Sequence, residues 1–287
     1  MPTTTARITG GEAVVSYDVT GTGPGLVLVH GTGTTREQWL PLTEAVADRF
    51  TVVAPDYSGS GGTTDHGGPL GVADLAAEVV AAADHAGLDR FHLVGHSLGA
   101  AVAAHLAAVH ADRVRSLVLH AGWVRTDARM EAEFRYWLQL VRADAEHGTA
   151  LFARMLPLMA FGPRHWERTD ATANEELIRA LAPAVAPGTA RQIETDLTVD
   201  LRPLLGRIAA PTLVLASTHD RLVGAGQQRA LVEAIARARY AEIDTGHAAP
   251  AEDSDAFVAR VAGFLDECDK GDDEHGTDEY GISDEVG

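Results

Sequence analysis

Leu93-Val94-Gly95-His96-Ser97-Leu98-Gly99-Ala100-Ala101 sets a serine between two glycines, after an apolar run fit for a strand and before an alanine-rich run fit for a helix. A serine at such a sharp strand-to-helix turn, a nucleophile elbow, is held in a strained backbone conformation. Its neighbours two positions away on either side must be small, or strand and helix collide. Gly95 and Gly99 meet that demand. The N-terminus of the following helix directs unpaired amide hydrogens and a partial positive charge at the serine, where an oxyanion forms during acyl transfer. The stretch therefore holds a nucleophile and half of an oxyanion hole. A glycine-serine turn without chemistry is the bland alternative, and the strand and helix signals on either side argue against it.

Working toward the N-terminus, Val72 to Ala86 reads as an amphipathic helix with Leu75, Val79 and Ala82 or Ala83 inward, ended by Gly87. Alternation in Ala13 to Val19 suggests an antiparallel opening strand. Gly21-Thr22-Gly23-Pro24-Gly25 then turns the chain into Leu26 to Val29, an apolar run that reads as a buried parallel strand. His30-Gly31-Thr32-Gly33 follows, then a helical pattern of Trp39, Leu42, Val46 and Phe50, then a short strand from Thr51 to Asp56 and a glycine-rich loop from Tyr57 to Thr64. Toward the C-terminus, Val114 to Leu119 and Pro211 to Ser217 read as strands. A helix from about Gly226 to Ala236, a short strand from Ala238 to Ile243 and a final helix from Asp253 to Leu265 complete the pattern. Strands alternating with helices imply a mostly parallel, doubly wound α/β sheet with helices on both faces.

Between Trp123 and Pro203 the strand signal disappears, and Phe134, Trp137, Leu138, Val141, Phe152, Met155, Leu156, Met159, Phe161 and Trp166 recur in a helical segment. This reads as a helical cap over the ends of the sheet. Its aromatic residues either line a pocket or form the cap's own core, and packing is the commoner fate of any single one. The organisation expected is a first core part at 1–122, the cap at 123–203, a second core part at 204–267, and a disordered acidic tail at 268–287.

The formal charge of −18 argues against nucleic acid and anionic membrane surfaces as partners. About half of it sits in the tail, since Asp266 to Gly287 carries ten acidic residues against Lys270 alone. No run of eighteen apolar residues occurs, and Met1 to Thr5 lacks the features of a signal peptide, so a cytoplasmic protein is expected. The single cysteine, Cys268, excludes an internal disulfide and reads as an exposed bystander. No pair of histidines has ligand spacing, so neither a metal nor another cofactor is expected.

In a doubly wound sheet, functional groups gather at the carboxyl ends of the strands. Four stretches fall there: His30-Gly31-Thr32, Gly95-His96-Ser97, Ser217-Thr218-His219-Asp220 and Asp244-Thr245-Gly246-His247. Neutral serine is a weak nucleophile that needs a base, and the base needs an acid to orient it. Ser97, Asp220 and His247 occur in that order of nucleophile, acid and histidine. In this the chain resembles the α/β-hydrolase superfamily, specifically its lid-bearing serine hydrolases, from about Ala13 to Leu265. The Asp56 to Gly61 turn and the Pro211 to Val214 strand resemble further motifs of that family. Ser217 departs from it, standing where a glycine often precedes the acid, and some relatives take the acid from the position of Asp127.

The resemblance implies a triad of Ser97, Asp220 and His247, with oxyanion-hole amides from Thr32 and Leu98. His96, Trp123 and Trp137 are the candidate substrate contacts together with His30, which is read first as structural, its ring bonding backbone near the oxyanion loop. His120 and His219 stand near strand ends and are read as non-catalytic. The expected function is hydrolysis of an ester, lactone or thioester of a small hydrophobic or amphiphilic molecule by an esterase-like or lactonase-like enzyme, with a homo-oligomer as a candidate assembly. The alternatives are a non-hydrolytic tailoring enzyme, such as a cyclase or rearrangement catalyst, and a ligand-binding member with slow turnover.

Overall fold

A computed structural model describes residues 1–276 and has eight strands in one sheet. They are β1 (Thr3–Ile8), β2 (Gly11–Thr20), β3 (Gly25–Val29), β4 (Thr51–Pro55), β5 (Phe91–His96), β6 (Val114–His120), β7 (Thr212–Ser217) and β8 (Ala238–Ile243). Their order across the sheet is β1-β2-β4-β3-β5-β6-β7-β8. β2 runs antiparallel to both its neighbours, and every pair from β4 to β8 is parallel. β1 is an addition to the strands read from sequence. It is an edge strand paired residue for residue with β2, Thr3 opposite Ser16 through Ile8 opposite Gly11, and its run Thr3-Thr4-Thr5-Ala6-Arg7-Ile8 is too polar to announce itself without that partner.

The helices between the strands are α1 (Leu40–Val46), α2 (Val72–His85) and α3 (Leu98–Val109). After β7 come α9 (Ala225–Ala234), α10 (Ala249–Glu252) and α11 (Ser254–Gly276). The two-residue period of the strands divides the core between the two faces of the sheet. Val27, Val29, Leu93, Leu117 and Leu119 pack with α2, α3 and α9 on one face. Leu26, Leu28, Val94 and Val118 pack with α1 and α11 on the other.

The inserted segment contains α4 (Ala128–His147), α5 (Leu151–Ala160), α6 (Pro163–Arg168), α7 (Ala171–Leu181) and α8 (Thr189–Asp196). The chain leaves and re-enters the core side by side. Thr126 N donates to Val199 O at 3.0 Å and Leu201 N to Val124 O at 2.8 Å. No described helix is long and apolar enough to cross a membrane.

A disordered acidic tail is expected from residue 268, but α11 continues to Gly276. Cys268 is half-buried against the apolar core rather than an exposed bystander, and Asp269 pairs with Arg115 at 2.9 Å. These contacts carry the helix past the point where apolar periodicity fades. The rest of the expected tail, 277–287, lies outside the described residues.

Candidate active site

Ser97 follows β5 and caps α3 with φ 55° and ψ −121°, a positive-φ conformation that is costly for a residue bearing a Cβ. Close packing on both sides imposes it. A Cβ on Gly95 would meet Gly99 O at 2.2 Å, and one on Gly99 would meet Val29 O at 2.2 Å. Only glycine at both positions lets α3 press against β5 and β3, and that pressure turns the serine hydroxyl out of the sheet.

His247 Nε2 lies 3.0 Å from Ser97 Oγ, and His247 Nδ1 lies 2.9 Å from Asp220 Oδ2. The other oxygen of Asp220 accepts hydrogen bonds from Leu222 N and Val223 N, each at 2.8 Å. Burial alone would raise the Asp220 carboxyl. The attraction and hydrogen bond of His247, with the two amides, hold it below the ordinary carboxylate range. The loop carrying His247 passes directly under the cap, where a Cβ on Gly246 would meet Ala160 O at 2.5 Å. Glu252 Oε2 fastens it there by accepting Gly246 N at 2.7 Å and Gly162 N at 2.9 Å.

Of the two residues expected to supply oxyanion amides, Thr32 lines the same cavity as Ser97, and Leu98 follows Ser97 as the first residue of α3. Gly31 brings the first of them close, since a Cβ there would lie 3.2 Å from Ser97 Cβ. A cavity of about 180 Å³ opens on this corner, with Thr32, His96, Ser97 and His247 below and Trp137, Leu156, Pro157, Phe161 and Leu181 above. None of its lining residues is Asp, Glu, Lys or Arg.

Of the four candidate substrate contacts, His96 and Trp137 line the cavity. His30 does not. It is fully buried beside Tyr57, with ring centroids 4.0 Å apart, and its Nδ1–H donates to Gly31 O at 2.9 Å. Burial lowers its pKa to about 4, so it shapes the loop as a neutral ring. Trp123 does not line the cavity either. Its indole donates to Thr126 Oγ1 at 3.1 Å and its ring packs on Phe134, because the start of the cap needs an apolar anchor. Asp127 is the N-cap of α4, accepting Arg129 N and Met130 N at 3.0 Å, and so has a structural employment away from His247.

His96 Nδ1 lies 2.8 Å from His120 Nδ1, and His120 Nε2 lies 3.1 Å from Ser217 Oγ. Burial first, and then the neighbouring imidazoles, push His96 well below its ordinary value, while His120 falls to about 3. Both rings are therefore neutral. The facing Nδ1 atoms share one hydrogen, which assigns opposite tautomers to the two rings. Ser217, the departure noted in the sequence, is the hydroxyl that closes this chain, with Thr245 Oγ1 3.1 Å beyond it. His219 instead faces outward, its Nε2 2.9 Å from Asp244.

The profile of the family described as alpha/beta hydrolase fold matches residues 24–254. The pyrrolizixenacetamide deacetylase of Xenorhabdus hominickii is 39% identical over 262 residues, covering 90% of this chain and 97% of that protein. A candidate carbamate hydrolase, RutD, of Azorhizobium caulinodans is 34% identical over 265 residues, covering 91% and 98%. Among solved structures, the enol-lactonase from Burkholderia xenovorans LB400 superposes with a TM-score of 0.79 at 28% identity, over 91% of this chain and 99% of that one.

Proposed function

We propose, from the premise that this chain belongs to the α/β hydrolase fold family, that it is a serine hydrolase cleaving the acyl bond of a small, uncharged, largely apolar substrate. The observation that carries this reading is the line Asp220–His247–Ser97 opening into a cavity without a charged lining residue. A carboxylate or ammonium group in such a cavity would lose its hydration with no partner to replace it. Esters, lactones and thioesters suit it. The names of the two sequence relatives extend the range to acetamides and carbamates.

In this mechanism Ser97 attacks the carbonyl carbon while His247 takes the hydroxyl proton. The Thr32 and Leu98 amides hold the oxyanion, each contributing about 3 to 4 kcal/mol. Asp220 stays ionised and stabilises the imidazolium, which then protonates the leaving group. Water activated by His247 releases the acid and restores Ser97. The neutral tautomer pair His96–His120 sits beside His247, with the His96 and His247 ring centroids 4.9 Å apart, and adds no competing positive charge.

The test is a panel of esters, lactones, thioesters, acetamides and carbamates assayed with wild type and Ser97→Ala. Turnover of at least one class is expected, with Ser97→Ala lowering kcat about 10⁴-fold or more. Reaction in ¹⁸O-labelled water should place the label in the released acid. Wild-type turnover by Ser97→Ala removes the nucleophile assignment, and unlabelled product in the presence of turnover identifies a non-hydrolytic reaction.

A further inference from the structure

Helix α8, Thr189-Ala190-Arg191-Gln192-Ile193-Glu194-Thr195-Asp196, carries Thr189, Gln192, Ile193 and Asp196 at i, i+3, i+4 and i+7, one face of a helix. Three of the four are polar, and such a stripe ordinarily faces water. Here it is buried: Thr189 and Gln192 are 0% exposed and Asp196 is 1%. The burial is costly to the fold. Among the described residues Asp196 Oδ1 and Thr189 Oγ1 have no hydrogen-bond partner, which leaves their lost hydration uncompensated. Desolvation pushes the Asp196 carboxyl well above the carboxylate range. A stripe that weakens the protein calls for another explanation.

Its contacts supply one. Gln192 Oε1 accepts Gly33 N at 2.8 Å, while Gln192 Nε2 donates to Ser58 O at 3.1 Å. Thr32 Oγ1 donates to Asp196 Oδ2 at 2.8 Å. Cap helix α8 thus grips the two consecutive residues that follow Gly31, one through its side chain and the other through its backbone. The helix itself is pinned to the core at three further points. Arg191 forms a two-pronged pair with Asp65 at 2.8 and 3.0 Å, and Thr195 Oγ1 donates to Leu70 O at 3.0 Å. At its N-terminus Gly188 touches Gly59 backbone to backbone, so that a Cβ on Gly188 would stand 2.1 Å from Gly59 Cα. The peptide that carries the Thr32 amide is held on its Gly31 side from the core, where Gly31 O accepts the His30 Nδ1–H at 2.9 Å and the Thr34 hydroxyl at 3.0 Å, and on its Thr32 side from the cap, which supplies the second restraint.

We propose that Gln192 and Asp196 are positioning residues that aim the Thr32 amide at the developing oxyanion, so that the cap completes the catalytic machinery as well as covering it. This rests on the reading of Ser97 as the nucleophile. An oxyanion donor displaced by a few tenths of an ångström loses much of its value in the transition state while ground-state binding is untouched.

The experiment compares Gln192→Leu, Asp196→Leu and Asp196→Asn with wild type and with Ser97→Ala on one good ester. It also measures inhibition by a trifluoromethyl ketone, whose adduct on a serine bears an oxyanion. Each leucine variant is expected to lose about 10- to 100-fold in kcat with KM within about twofold, and to lose ketone affinity by the same factor. Asp196→Asn, neutral and of the same shape, should recover most of the loss. If Asp196→Leu does not fold, Thr32→Val reads the same link from the core side and should also lower kcat without raising KM. Unchanged kcat in Gln192→Leu and Thr32→Val overturns the proposal, as does an Asp196→Asn variant as impaired as Asp196→Leu. Inactive Ser97→Ala beside unimpaired Gln192→Leu removes the α8 proposal alone. Active Ser97→Ala removes the nucleophile on which it stands.

Discussion

Below the cavity, Ser97, Asp220 and His247 come from three separate strand-end loops and meet through hydrogen bonds of 2.9 and 3.0 Å. Above it, Trp137, Leu156, Pro157, Phe161 and Leu181 come from α4, α5, α7 and the turn after α5, and meet through apolar contact. The lower side is directional, because a hydrogen bond fails when its angle or length changes. The upper side is tolerant, because apolar packing survives a change of shape at modest cost. In the proposed reading, the lower side does the chemistry and the upper side selects what reaches it. Helix α8 crosses the division, since it belongs to the upper segment and yet holds Thr32 and Gly33 below the cavity through Asp196 and Gln192.

The largest effect that tests this contrast lies between two aspartates. Asp220→Asn should lower kcat about 10⁴-fold by leaving His247 in the wrong tautomer. Asp127→Asn, which keeps an N-cap of nearly equal quality, should leave kcat unchanged. Comparable losses in the two variants would show that the directional lower side is not confined to the three residues. A smaller effect is expected above. Leu156→Ala should leave kcat for a short acyl ester within about threefold and raise kcat/KM for longer chains about 10-fold relative to short ones. An equal change for all chain lengths would break the assignment of selection to the upper side.

The smallest effect concerns support beneath the loops. Glu78, buried within α2, receives Ser58 N at 2.7 Å and the Ser58 hydroxyl, and Ser58 O in turn receives Gln192. Burial raises its pKa from 4.5 to about 7, against the pull of the Ser58 hydrogen bonds. The folded protein therefore keeps this proton up to about pH 7, whereas the unfolded chain releases it near 4.5. Stability from this group is complete below pH 4.5 and is lost as the pH rises to about 7, amounting to no more than about 3 kcal/mol. Wild type should lose stability relative to Glu78→Gln between pH 5 and pH 8 in denaturant titrations. A pH-independent difference would show that Glu78 is ionised throughout.

Much of the lower side was legible without coordinates. The elbow is a statement about residues two positions apart, and the spacing Gly95-Ser97-Gly99 expresses a steric rule that needs no distant partner. The strand pattern placed four loops at one edge, and the resemblance to α/β hydrolases picked out Ser97, Asp220 and His247 among them. Less was legible above. The cap's apolar residues were visible as a group, but their division between cavity and core was not, so that Trp137 and Trp123, alike in sequence, ended in different places. His30 was read both as a ring bonding backbone near the loop and as a candidate contact, and only the first holds, since a strand-end histidine shows its proximity to a site but not the side to which its ring turns. Gln192 and Asp196 were missed because a polar helical stripe carries the same signature whether it meets water or a buried loop.

Sequence by itself determined the parallel core, the strained serine and the set of groups available to it, because periodicity and local sterics operate between near neighbours in the chain. Tertiary structure alone decided which polar groups were taken out of water and which amides they hold, because burial depends on segments more than a hundred residues apart, as Thr32 and Asp196 are.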